Sequence, residues 1–207
     1  MRNNLPFDTI GLKDEDIQAF LITLDHLKSG FKAEFDGDFE FGIAGFDVFS
    51  NYQSINFKYA IDVSGDLDNS HITFPQIEYK FVGHKGGSHT AIEYQVWGIA
   101  TLKKDFGHVI IKQETFIDKI IELIHPIELD FEDDKPFNQK FFVVTNDKEK
   151  AKLAMNPAFR NAIMEIDVDD FEIEIVNKDL VIGNRKPIDP ETAFSFAKFL
   201  TKVSSLQ

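Results

Sequence analysis

The stretch FEIEIVNKDLVIG, residues 171–183, decides the fold class. Phe171, Ile173 and Ile175 alternate with Glu172 and Glu174, which is the period of a strand with one apolar and one polar face. Asn177-Lys178 then turns the chain directly into a second apolar run, Leu180–Gly183. Two strands joined so tightly must be antiparallel, because a parallel pair needs a crossover of a dozen or more residues. On this pattern Glu172 and Glu174 belong to the wet face of the strand.

Upstream, the same period runs through a long segment. Phe31, Ala33 and Phe35 alternate before an Asp36-Gly37 turn, and Phe39, Phe41 and Ile43 alternate after it. Further strands are expected over 55–63, 72–82, 91–102 and 107–112, with Gly83-His84-Lys85-Gly86-Gly87-Ser88 as a hairpin tip. This reads as an antiparallel meander.

Helices flank it. Ile17, Phe20, Leu21, Leu24 and Leu27 share one face of a helix that Asp14 can cap, with Gly30 past its end. Phe116 to Ile124 reads as a short helix stopped by Pro126. Ile127, Leu129 and Phe131 then alternate as a strand, and 141–145 is another. Asn146 with Glu149 resembles a capping box opening a helix through Ala154, and Asn156-Pro157 starts the next. Asp189 caps a last helix with Pro190 at its first position. Its core face is Ala193, Phe196, Ala197, Leu200 and Val203, with Ser195, Lys198 and Lys202 toward water. Hairpins outnumber crossovers, so the expected class is α+β: an antiparallel sheet packed against four to five helices. The chain is expected to be a single unit over 1–207, with a β-rich lobe at 1–115 and a mixed lobe at 116–207 as the division its composition allows.

Composition narrows the function classes. Of 207 residues, 22 are basic and 35 acidic, for a net charge of −13. Nucleic-acid binders need a basic stripe to replace phosphate counterions, and no window supplies one. With no cysteine, disulfides, thiolate zinc sites and a cysteine nucleophile are excluded. The first dozen residues carry no apolar run of signal-peptide length, and no stretch reaches the length of a membrane span. The expected location is therefore cytoplasmic, with no nucleic-acid partner and no membrane span. Phenylalanine is abundant, 22 against one tryptophan. An AT-rich genome explains it, since Lys, Asn and Ile rise together with it. A cavity lined by Phe39, Phe41, Phe46, Phe49, Phe57, Phe74 and Phe81 is the alternative.

A looser pattern adds a resemblance. The segments Asp47–Tyr52, Gly83–Ser88, IIKQETFIDKI into Ile127–Asp133, and Phe137-Asn138-Gln139-Lys140-Phe141 with Val143, Asp147, Ala151 and Leu153 to Pro157 occur in a suggestive order. Together they resemble a widespread group of bacterial domains of unknown function, over roughly residues 45–205. In that group a β-rich part is followed by a strand of the form Phe, Asn or Ser, two residues, Phe or Tyr. A helix that opens on an acid and a C-terminal hairpin plus helix come next. Several members carry membrane spans before the domain, and this chain shows none. The group's Phe-Asp-Tyr is replaced here by Val48-Phe49-Ser50-Asn51-Tyr52. The resemblance implies a fold and no chemistry.

No motif assigns a reaction. In the Gly83–Ser88 loop the lysine precedes both later glycines and strand residues follow, which is the wrong order for a phosphate cradle. His84 and His89 are two imidazoles where zinc wants three or four ligands. His26, His71, His108 and His125 are scattered. Asp130 to Asp134 and Glu165 to Glu174 lack the glycine and closing glutamate of a calcium loop. Ser50, Ser54, Ser64 and Ser88 lack a nucleophile elbow, and Asp66 and Asp68 read as turn residues. No catalytic, cofactor or metal residue is assigned. The expected function is a non-enzymatic interaction or ligand-binding module. An enzyme using carboxylate or histidine chemistry and a binder of a small apolar molecule are the alternatives.

Overall fold

The computed structural model describes residues 12–50, 52–57, 59–64, 70–82, 88–113 and 127–206. The expected helix at 116–124, the Gly83–Gly87 hairpin tip, and Asp66 and Asp68 lie outside them.

The α+β class and its antiparallel sheet are as read from the sequence. The elements run in chain order as helix α1 (Asp14–Gly30), strand β1 (Glu34–Asp36), a 3-10 turn (Asp47–Phe49), β2 (Ser54–Asn56), β3 (Ala60–Asp62), β4 (Ser70–Thr73), β5 (Gln76–Val82), β6 (Ser88–Thr101) and β7 (His108–Gln113). Then come β8 (Ile127–Glu128), α2 (Lys135–Lys140), β9 (Phe141–Thr145), α3 (Lys148–Ala154), α4 (Pro157–Met164), β10 (Glu172–Val176), β11 (Asp179–Pro187) and α5 (Pro190–Ser205). Every strand pair among the described residues is antiparallel, and the sheet order is β1-β3-β4-β6-β11-β10-β7-β9-β8, with β2 and β5 branching from the first half of β6. The hairpin of β10 and β11 sits mid-sheet between β6 and β7.

Local boundaries differ from the sequence reading in instructive ways. Asp14 lies in the first turn of α1, where the dipole favours acids; the cap is Lys13, whose N–H donates to Asp16 at 3.3 Å. Gly30 is the last residue of the helix, and a Cβ there would come within 2.6 Å of the Phe194 ring. Close helix packing, and not a left-handed cap, requires that glycine. Asn146 does not cap α3; its side chain accepts from the His108 N–H, and Asp147 caps the helix through the Lys150 N–H. Asn156 and Asp189 cap α4 and α5 as expected, accepting from Phe159 and Thr192. Phe137-Asn138-Gln139-Lys140 is helical, because Asp134 caps the Phe137 N–H and Pro136 fits the first turn, so this part of the resemblance is a helix and not a strand. Residues 55–63 and 72–82 each break into two strands, the second at Phe74-Pro75, and the strand from Ile127 stops at Glu128.

Strand alternation divides the core between two faces. One face presents Val96 and Ala100 of β6 with Leu102 just past its end, Leu180 and Ile182 of β11, Ile173 and Ile175 of β10, and Val109 and Ile111 of β7. It packs on α1 and α5 through Phe20, Leu24, Leu27, Phe196 and Leu200. The other face presents Trp97, Ile99 and Val181, and Phe46, Val48 and Phe49 pack against them. Residues 39–57 therefore act as a cover over the second face. Phe39, Phe41 and Ile43, expected in a strand, lie in the strandless part of this cover and pack on its edge.

The cover removes the wet face that the sequence pattern suggested. Glu172 and Glu174 are buried, Glu174 completely. Ser195 is also buried, not solvent-facing, and its hydroxyl donates to Asp167 at 2.6 Å.

Gly183 shows how tightly the second face is built. It stands directly across from Trp97 in the register, and Trp97 is fully buried. A Cβ on residue 183 would intrude on the indole ring. Gly183→Ala is expected to destabilise by about 1–3 kcal/mol, the usual cost of overpacking, read from a denaturant or thermal melt.

Candidate functional site

The covered face carries a row of polar side chains where β-sheet faces are ordinarily either apolar or wet. Strand alternation places His108 and Lys112 of β7 on it, with Glu172 and Glu174 of β10. A register irregularity between Gly183 and Pro187, with Arg185 at φ 53°, turns β11 at Arg185.

Glu172 is the centre of one cluster. Its carboxylate takes Lys112 Nζ at 3.0 Å on one oxygen and Arg185 Nε at 2.5 Å on the other. Arg185 also donates to the Val48 carbonyl at 3.1 Å and lies over the Tyr52 ring, so it clips the cover to the sheet. Burial pulls the guanidinium pKa down, but the Glu172 carboxylate, with smaller contributions from Tyr52 and Tyr79, leaves it raised on balance.

Tyr52 extends the row. Burial pushes its phenol above the usual value, so it stays protonated and donates to Gln95 Oε1 at 3.1 Å. Gln95 is fully buried and satisfied: the same oxygen accepts from Trp97 Nε1 at 3.2 Å, and its amide donates to the Tyr79 hydroxyl. Burial raises the Tyr79 phenol as well.

Glu174 anchors the second cluster. Its two oxygens accept from the N–H groups of Asp47 and Val48 at 2.9 and 2.8 Å, which are the free amides at the start of the 3-10 turn. His108 Nε2 lies 2.5 Å from Glu174 Oε1. The Asp47 carboxylate completes the group: ligand atoms of Asp47, His108 and Glu174 lie within 4.8 Å of one another. Burial, then the Glu174 carboxylate, raises the Asp47 pKa. None of the three was separable by spacing, since 66 residues divide His108 from Glu174 and 127 divide Asp47 from Glu174.

At the edge of the cover an open cleft of about 630 Å³ is lined by Phe39, Glu40, Phe41, Gly42, Ile43, Ile55, Asn56 and Phe57. Its apolar side chains are half-buried. Phe41 and Phe57 make an edge-to-face pair at 5.8 Å, and both touch the covered core through Phe46 and Phe49.

Other sequence candidates disperse. Of the phenylalanines proposed for one cavity, Phe39, Phe41 and Phe57 line the cleft, and Phe46 and Phe49 floor the cover. Phe74 is on the opposite face against Phe20, 4.9 Å between rings. The acidic run near 133 serves packing: Arg160, buried under Phe131, pairs with Asp133 at 2.9 Å and Asp134 at 2.8 Å. His71 pairs with Asp36 at 3.0 Å and tilts against Phe39. One sequence signal could have found the covered face. Val96-Trp97-Gly98-Ile99-Ala100 is apolar at both parities, the mark of a strand buried on both sides.

No family model matches the chain, and no curated protein matches it. The crystal structure of the mycobacterial trehalose monomycolate transport factor A is similar to it, with a TM-score of 0.51 and 12% identity, covering 89% of this chain and 93% of that one. At that identity the likeness is one of fold. Among the described residues, no helix is long and apolar enough to cross a membrane.

Proposed function

We propose that the protein is a non-enzymatic cytoplasmic ligand-binding module, acting as one folding unit, and that the cleft at the edge of the cover takes a small apolar ligand such as an acyl chain. The observation that carries this reading is the lining: five half-buried apolar side chains, Phe39, Phe41, Ile43, Ile55 and Phe57, with Glu40 the single ionisable residue. An active site gathers titratable groups in its pocket, and this lining offers one, beside apolar side chains that an apolar ligand could contact. The cleft's size is within the range of small-molecule sites, about 300–1,000 Å³. The chain's −13 net charge disfavours a polyanionic ligand.

Titration with the fluorescent apolar probe N-phenyl-1-naphthylamine tests it. Saturable enhancement is expected with the parent. Phe39→Ala and Ile43→Asp are expected to weaken it about tenfold or more, since one lost apolar contact surface of about 1.4 kcal/mol is a factor of ten. Both residues are half-buried, and the melting temperature is expected to move little. An absence of saturable binding, or equal affinity in both variants, overturns the reading.

A further inference from the structure

The Asp47, His108 and Glu174 cluster is separate from the cleft lining and has a chemistry of its own. We infer that these three side chains bind one first-row divalent transition-metal ion, which ties the start of the cover to strands β7 and β10. The inference does not rest on the apolar cleft, and either can fail without the other.

The geometry supplies a built site. Glu174 is fully buried, and its orientation is set by two backbone N–H groups. Those bonds leave lone pairs on a carboxylate held in place, as a ligand supported by outer hydrogen bonds requires. His108 is fixed at its backbone, where its N–H donates to Asn146 at 2.9 Å, and its Nε2 already points at Glu174. Asp47 is half-buried, and among the described residues no group donates a hydrogen bond to its carboxylate. Two carboxylates thus face each other beside an imidazole, with ligand atoms spread over no more than 4.8 Å.

A cation with bonds of about 2.0–2.2 Å holds its ligand atoms about 3–4 Å apart. Two adjustments reach that spacing: the unbonded Asp47 carboxylate turns inward, and His108 Nε2 and Glu174 Oε1, 2.5 Å apart across their hydrogen bond, separate by about 1 Å. Binding requires the proton between His108 Nε2 and Glu174 Oε1 to leave, so that the neutral ring nitrogen offers its lone pair to the ion. Two carboxylates and one imidazole leave a net charge of −2, matched by a divalent ion. The imidazole selects zinc, manganese or iron over magnesium and calcium, which prefer all-oxygen shells. Three protein ligands, two of them only partly buried, leave coordination positions for water.

Chelator-treated, desalted protein tests this by calorimetric titration with Zn²⁺, with Mg²⁺ as control. Saturable binding that includes one site lost in Asp47→Asn is expected, with affinity at that site at least tenfold weaker in the variant. The melting temperature of the parent is expected to rise with Zn²⁺ and that of Asp47→Asn to rise much less. Asparagine keeps the size of the side chain and removes one carboxylate, so folding should survive. His108→Gln provides the second arm and is expected to show the same loss. In the parent, Mn²⁺ should selectively broaden the His108 ring resonances, assigned by their disappearance in His108→Gln. No saturable Zn²⁺ binding, undiminished binding in both variants, or unbroadened His108 resonances overturns the inference. Failure here leaves the apolar-probe result untouched.

Discussion

A chain ending at Ile188 is expected to lose cooperative folding altogether. The deletion removes α5, which lies against α1 and the sheet. Phe196, Leu200 and Val203 are fully buried and Phe199 nearly so. Each such side chain contributes roughly 1.5–3 kcal/mol by leaving water. Four of them are comparable with the whole net stability of a domain, about 5–15 kcal/mol. The polar losses add to this: Ser204 meets Ser70 at 2.9 Å inside the core, Ser195 holds Asp167, and Lys202 pairs with Glu165 on the surface. The surface pair counts for little because solvent screens it. The truncated chain should bind a hydrophobic dye and show no sigmoidal unfolding transition, as expected of a state without specific packing. A cooperative transition at the parent's midpoint would refute the expectation.

Glu174→Ala should be the most damaging single substitution on the covered face, at about 3–5 kcal/mol, because several donors lose their acceptor at once and each buried group left unsatisfied costs about 1–3 kcal/mol. The carboxylate is fully buried and serves three donors, the N–H groups of Asp47 and Val48 and the His108 ring. Its loss leaves these groups without acceptors and releases one of the polar links between cover and sheet. Arg185, bonded to the Val48 carbonyl, and Tyr52, bonded to Gln95, are others. For a chain of this size about 4 kcal/mol corresponds to a fall of roughly 10 °C in melting temperature. Glu174→Gln keeps one carbonyl acceptor in place and should cost less. Hydrogen exchange gives the local readout: the Asp47 and Val48 amides should exchange much faster in Glu174→Ala, while those of β10 and β11 remain protected under native conditions. Unchanged exchange at Asp47 and Val48 would mean that the cover is held by its apolar contacts alone.

The alternation of Phe171, Ile173 and Ile175, the Asn177-Lys178 turn, and the caps at Asn156 and Asp189 determined the antiparallel hairpin and the later helices by themselves. Each is a short-range preference: a pleat of period two, a tight turn, or a side chain satisfying an amide three residues on. The core faces of α1 and α5 were legible for the same reason. What the sequence could not determine was which face of the sheet stays wet. Glu172 and Glu174 carry the pattern of solvated positions, yet the cover from 39 to 57 closes over them and turns exposed acids into buried hubs for Lys112, Arg185, His108 and two backbone amides. The same closure leaves Phe39, Phe41 and Phe57 around a cleft where period-two reading placed a strand. Asp47, His108 and Glu174 meet only because β7 pairs with β10 and the 3-10 turn docks on both. Such a meeting depends on contacts between residues far apart in the chain, and local pattern carries no information about distance across a fold.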